Sequence, residues 1–139
     1  EPGHVVNTAS TAGVVAFPGI ASYDVAKQGV VALSEVLLAD AMAEKLPIRV
    51  SVLCPGVVRT KIGVSERNRP GGVKGDAFGE EGLITATEAI EPEVVAQAVL
   101  RAINDGTFWI MTHPRYVDLV KARADGMLTG GIPPVPHPI

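Results

Sequence analysis

Three short apolar runs, His4–Ala9, Ile48–Cys54 and Thr107–Thr112, alternate with longer stretches whose apolar residues recur at three- and four-residue steps. No other feature constrains the fold as strongly. Parallel strands need a long crossover between them, usually a helix, so a strand–helix–strand order predicts a parallel pair. Repetition of that unit builds an α/β sheet covered by helices. A chain of 139 residues has room for one such domain or for part of a larger one.

The first helical stretch runs from about Ser22 to Lys45. Its apolar residues Ala26, Val30, Leu33, Val36, Leu37, Ala41 and Met42 keep the period without an interior proline, and Pro47 ends it. Pro92 suits the first position of a second helix, in which Val95, Ala98, Val99, Ala102 and Ile103 form a stripe closed by Gly106. Pro114 opens a last helix to about Asp125. Between Arg59 and Thr85 six glycines lie among charges, which predicts a long loop acting as a lid over about 61–85. Pro133, Pro134, Pro136 and Pro138 predict an extended, poorly ordered tail over 130–139, with 1–129 as the folded unit.

Twelve basic and fifteen acidic residues give a net charge of -3 with no basic cluster, so no nucleic-acid partner is expected. No run reaches the roughly 18 apolar residues of a membrane span, and no membrane partner is expected. Cys54 is the single cysteine, which excludes an internal disulfide and suits a reducing location, the cytoplasm. His4, His113 and His137 lie far apart, without ligand spacing; they read as surface or turn residues, and no metal is expected.

Right-handed crossovers bring the C-terminal ends of parallel strands to one edge, where open sheets of this kind bind ligands. Ser10 ends the first run, Tyr23 and Lys27 begin the first helix, and Pro55-Gly56 follows the second run. Tyr23 and Lys27 are four apart and share a helix face. An ammonium about 4 Å from a phenol favours phenolate by roughly 4 kcal/mol at an effective dielectric near 20, before desolvation is charged against it. A phenol so assisted can exchange a proton with an alcohol or carbonyl oxygen at neutral pH. A serine hydroxyl beside it can hydrogen-bond the same oxygen as charge develops there. Taken singly, Ser10 reads as a turn or cap residue, the Tyr–Lys pair as a solvated helix face and Pro-Gly as a chain reversal. Their joint placement on one edge carries the functional reading.

The segments Asn7-Thr8-Ala9-Ser10, Tyr23-Asp24-Val25-Ala26-Lys27 and Pro55-Gly56-Val57-Val58-Arg59-Thr60 closely resemble the single-domain branch of the short-chain dehydrogenases/reductases. The resemblance is strong from Gly3 to Thr60 and extends by element order to about Asp125. It implies the C-terminal part of a Rossmann-like doubly wound parallel sheet and an NAD(P)-dependent oxidoreductase that interconverts an alcohol and a carbonyl. By the same resemblance Ser10 orients the substrate carbonyl, Tyr23 is the general acid/base, and Lys27 assists Tyr23 and holds the nicotinamide ribose. Pro55, Gly56, Val58 and Thr60, with Tyr23 and Lys27, border the NAD or NADP. A small alcohol or carbonyl is the implied substrate, and a homodimer or homotetramer built on the long helix the implied assembly.

Ala9 and Cys54 stand where the family often has Ser and Asn. The chain holds no Gly-x-Gly-x-x-Gly and no Asn-Ala-Gly, the family's adenine-side signals, so it reads as the C-terminal half of a dehydrogenase whose first four strands lie upstream of Glu1. The longer, nucleotide-sugar branch shares Tyr-x-x-x-Lys, but its serine lies farther upstream. Two other readings stand beside the enzyme: a non-catalytic nucleotide-binding or oligomerising relative, and an inert fragment with an exposed sheet edge.

Overall fold

The computed structural model describes residues 2–62 and 88–136. One parallel sheet holds β1 (Gly3–Thr8), β2 (Ile48–Cys54) and β3 (Trp109–Met111), in that spatial order. Helix α1 (Ala21–Ala43) crosses from β1 to β2, α2 (Pro92–Asp105) leads into β3, and α3 (Arg115–Thr129) follows it. The α/β class is therefore observed. Among the described residues, no helix is long and apolar enough to cross a membrane.

Strand β2 lies in the middle and reads almost continuously apolar because both of its faces are covered. Val52 and Cys54 pack with Ala9 and with Val31 of α1 on one face. Leu53 packs with Ala102 of α2 and Ile110 of β3 on the other. The period of two along the strand thus builds two cores, one under each helix layer. Ser51, buried in β2, is paired on both sides, as burial demands. Ser51 donates to the Thr107 carbonyl at 2.6 Å and accepts from Nε2 of His4 at 2.7 Å.

Element ends follow local chemistry. Lys45, at φ 54°, turns the chain out of α1, and Gly106 and Gly130 cap α2 and α3 in the left-handed conformation. Several boundaries differ from the sequence reading, among them that of α1, which ends at Ala43 rather than Lys45. The first strand ends at Thr8, with Ala9 outside it; the third is only Trp109–Met111, because it pairs with Val52–Cys54 alone; and α3 runs on to Thr129, where Gly130 stops it. The lid expected over 61–85 lies outside the described residues except for Lys61 and Ile62.

Residues 131–136 form no regular element, yet Pro136 is buried and the Gly131 N–H donates to the Gly126 carbonyl at 2.9 Å. Pro133, Pro134 and Val135 line a cleft with Phe17, Gln28 and Arg123. The described part of the tail is therefore seated on the molecule, since prolines lose little backbone freedom on docking. Of the two expectations for His113, surface or turn, the structure keeps the second: it joins β3 to α3 and is only 5% exposed.

Candidate active site

Ser10 follows directly on the buried Ala9 at the C-terminal end of β1, with extended backbone. Its Oγ accepts the Ala12 N–H at 3.2 Å and so caps the short helical turn Thr11–Gly13. Capping occupies an oxygen lone pair and leaves the hydroxyl proton to donate elsewhere. Gly13 lets that turn press on α1: a Cβ there would lie 2.8 Å from a Val31 methyl and 2.9 Å from the Lys27 carbonyl. Ser10 and Lys27 are thus brought together through a glycine that tolerates no side chain.

Tyr23 occupies the first turn of α1, one helical turn before Lys27. The Lys27 Nζ stands 5.7 Å from the Tyr23 ring centroid and donates to the Thr8 carbonyl at 3.2 Å. The strand end therefore shares the ammonium that the sequence pairs with the phenol alone. Asp24, next in the chain, is buried, and its Oδ2 accepts the Phe17 N–H at 3.0 Å, holding the loop that enters α1.

Beyond β2, Pro55-Gly56 leads into a short parallel bridge between Val58 and Ile90. Arg59 N–H donates to the Ile90 carbonyl at 2.9 Å, and Ile90 N–H to the Val57 carbonyl at 3.1 Å. Because such groups alternate along extended chain, the N–H and C=O of Val58 point away from Ile90. Thr60 Oγ1 accepts the Ile62 N–H at 3.4 Å.

All seven residues singled out in the sequence, Ser10, Tyr23, Lys27, Pro55, Gly56, Val58 and Thr60, line one cavity of about 360 Å³. Phe17, Ile20, Ile62 and Val95 add an apolar wall. The other tyrosine, Tyr116, is buried outside the lining; burial raises its phenol above the ordinary value, with Arg115 opposing. Burial pushes the Cys54 thiol up to about 11, against the Ser10 backbone N–H, so Cys54 is a small buried hydrophobe and no nucleophile.

Two residues of this region escaped sequence reasoning. Asp24 entered only as part of the Tyr23–Lys27 segment, with no role of its own, and His113 as a surface or turn residue. The available signal was position: both stand beside segments that reach the same sheet edge.

A family model described as short chain dehydrogenase matches residues 1–71. The CLA biosynthesis dehydrogenase/reductase of Lactiplantibacillus plantarum is 32% identical over 145 residues, covering 94% of this chain and 50% of that protein. The 1-deoxy-11-beta-hydroxypentalenate dehydrogenase of Streptomyces avermitilis is 36% identical over 116 residues, 81% of this chain and 37% of its own. A short chain dehydrogenase/reductase from Burkholderia phymatum, solved in complex with NAD, superposes with a TM-score of 0.86 at 29% identity, over 100% of this chain and 53% of that one. The chain spans about half the length, or less, of the curated relatives it matches.

Proposed function

The chain belongs to the short-chain dehydrogenase family, and on that premise we propose that the protein is an NAD(P)-dependent oxidoreductase that interconverts an alcohol and a carbonyl. One observation carries the reading: Ser10, Tyr23 and Lys27, which come from two separate segments, share a cavity with the Pro55–Thr60 segment. The donor set suits a nicotinamide dinucleotide. Lys27 offers an ammonium to ribose hydroxyls, and Val58 offers one backbone donor and one acceptor, the complement of a carboxamide. Pro55, Gly56 and Thr60 border the same space.

A bound dinucleotide supplies the hydride acceptor in oxidation and the hydride donor in reduction. The chain's own residues handle the oxygen. In oxidation Tyr23, as phenolate, takes the hydroxyl proton while the carbon loses its hydride, and a carbonyl forms. In reduction the phenol returns that proton to the oxygen that has gained charge. Ser10 donates a hydrogen bond to that oxygen in both directions. Lys27 stands beside the Tyr23 ring and is itself steadied by the Thr8 carbonyl.

The proposed assembly is a homodimer or homotetramer. Val25, Leu33, Val36 and Met42 of α1 are all more than half exposed, an apolar surface that a second copy would cover. The proposed location is the cytoplasm, where a lone thiol stays reduced.

The test is Tyr23→Phe in the full-length protein, assayed with NAD+ and NADP+ over a panel of alcohols. Turnover falls to background while dinucleotide binding and the melting curve persist. Turnover of the variant at the wild-type rate overturns the proposal; binding of dinucleotide by the wild type with no turnover on any substrate favours the non-catalytic relative.

A further inference from the structure

His113 lies at the end of β3 and meets three segments at once. Its Nδ1 accepts the Gly56 N–H at 3.0 Å and stands 2.8 Å from the Thr112 hydroxyl. Its Nε2 lies 3.2 Å from the Val57 carbonyl and 3.2 Å from the Glu88 carbonyl. Carbonyl oxygens only accept, so Nε2 carries the proton; Nδ1 receives an N–H, so it carries none. The contacts themselves select the neutral Nε2–H tautomer, and both ring nitrogens are engaged.

The packing leaves the ring no alternative seat. A Cβ on Gly56 would lie 2.8 Å from Cγ and Nδ1 of His113 and 2.8 Å from the Tyr116 ring, so only bare backbone can come this close to the imidazole. Tyr116 also meets the imidazole, at 6.0 Å between centroids in an edge contact. Arg115, above the Tyr116 ring, ion-pairs with Glu88 and helps hold the segment whose carbonyl reaches Nε2.

We infer that His113 is a positioning residue for the dinucleotide. It clamps Gly56 and Val57 between β3 and the segment at Glu88, and so sets the direction in which Val58 and Thr60 face the cavity. The inference rests on the proposed cofactor role of the Pro55–Thr60 segment. A histidine suits the task because one rigid ring offers an acceptor and a donor on different edges. Phenylalanine keeps the plane and loses both; asparagine keeps an amide near Nδ1 and loses the reach to Glu88.

The experiment uses the full-length protein in three arms. Long-range 1H–15N spectra of the dinucleotide-free protein read the tautomer, with protonated Nε2 and bare Nδ1 expected. Fluorescence titration with NADH and NADPH compares wild type with His113→Phe and His113→Asn. Steady-state kinetics separates the KM for dinucleotide from the KM for alcohol. His113→Phe weakens dinucleotide binding and raises its KM by about tenfold or more, the loss expected for two buried hydrogen bonds. The alcohol KM stays near wild type, and His113→Asn recovers part of the affinity. A folded His113→Phe protein that binds dinucleotide like wild type, or a ring protonated at Nδ1, overturns the clamp while leaving the oxidoreductase reading intact. A wild type that binds neither dinucleotide overturns both. Should His113→Phe not fold, His113→Asn and the tautomer decide, with unchanged affinity in His113→Asn counting against the clamp.

Discussion

The Lys27 ammonium donates to the Thr8 carbonyl at 3.2 Å, so the last residue of β1 anchors a side chain from the second turn of α1. The sequence spacing relates Lys27 only to Tyr23; the strand supplies the third point that orients the lysine head. Helix and strand are thus coupled at the place where proton transfer is proposed.

Lys27→Met tests that coupling. It keeps an unbranched stem of similar length and removes the charge, so turnover falls by about 10² to 10⁴, the usual contribution of assisted proton transfer. Because the lost bond is exposed, the melting temperature moves little. Steady-state rates and a thermal melt on the same preparation separate the two effects.

Gly13→Ala probes the close approach of the turn to α1. The added methyl would stand within 3 Å of a Val31 methyl and of the Lys27 carbonyl, and backbone cannot give way as a flexible side chain can. Overpacking of this kind costs about 1–3 kcal/mol. Chemical denaturation reads the loss, and turnover falls as well because the displaced turn begins at Ser10.

Ser34→Ala removes a buried relay. The Ser34 hydroxyl donates to the Val30 carbonyl at 2.7 Å and accepts from the Asn7 amide at 3.0 Å, joining α1 to β1. The variant leaves that amide donor unpaired and loses about 1–3 kcal/mol in urea unfolding. The double change Asn7→Val with Ser34→Ala recovers part of the loss, because no orphaned donor remains.

The Cys54 thiol predicts an alkaline limb in stability. Its value is raised from about 9 to about 11 by burial, the Ser10 N–H opposing, so the folded protein resists forming the thiolate. Stability from this group is fully present below pH 9 and declines as pH rises toward 11, because the unfolded chain ionises first. Cys54→Ala flattens that decline in denaturation curves measured across the interval. At neutral pH the native thiol also resists alkylation until the protein unfolds.

Much of the fold is legible because its signals are local. Pro92 at a helix start, Gly106 at its left-handed end and the stripe from Val95 to Ile103 all act within a few residues, and α2 has the bounds they predict. Ile48–Cys54 likewise matches its strand to the residue, since a central strand covered on both faces leaves an apolar run bounded by prolines. The third strand is shorter than the apolar run Thr107–Thr112 because its ladder with β2 spans only Val52–Cys54, residues far away in sequence.

The candidate site divides in the same way. The sequence alone determined which residues stand at the sheet edge, because strand ends, helix starts and the four-residue step from Tyr23 to Lys27 follow from backbone periodicity. Only the tertiary structure decided how they are held: Lys27 drawn to Thr8, the Ser10 turn pressed on α1 at Gly13, and His113 locked between Gly56 and Glu88. Those contacts join residues 14 to 57 positions apart, and their directions depend on packing angles between elements that no local propensity encodes.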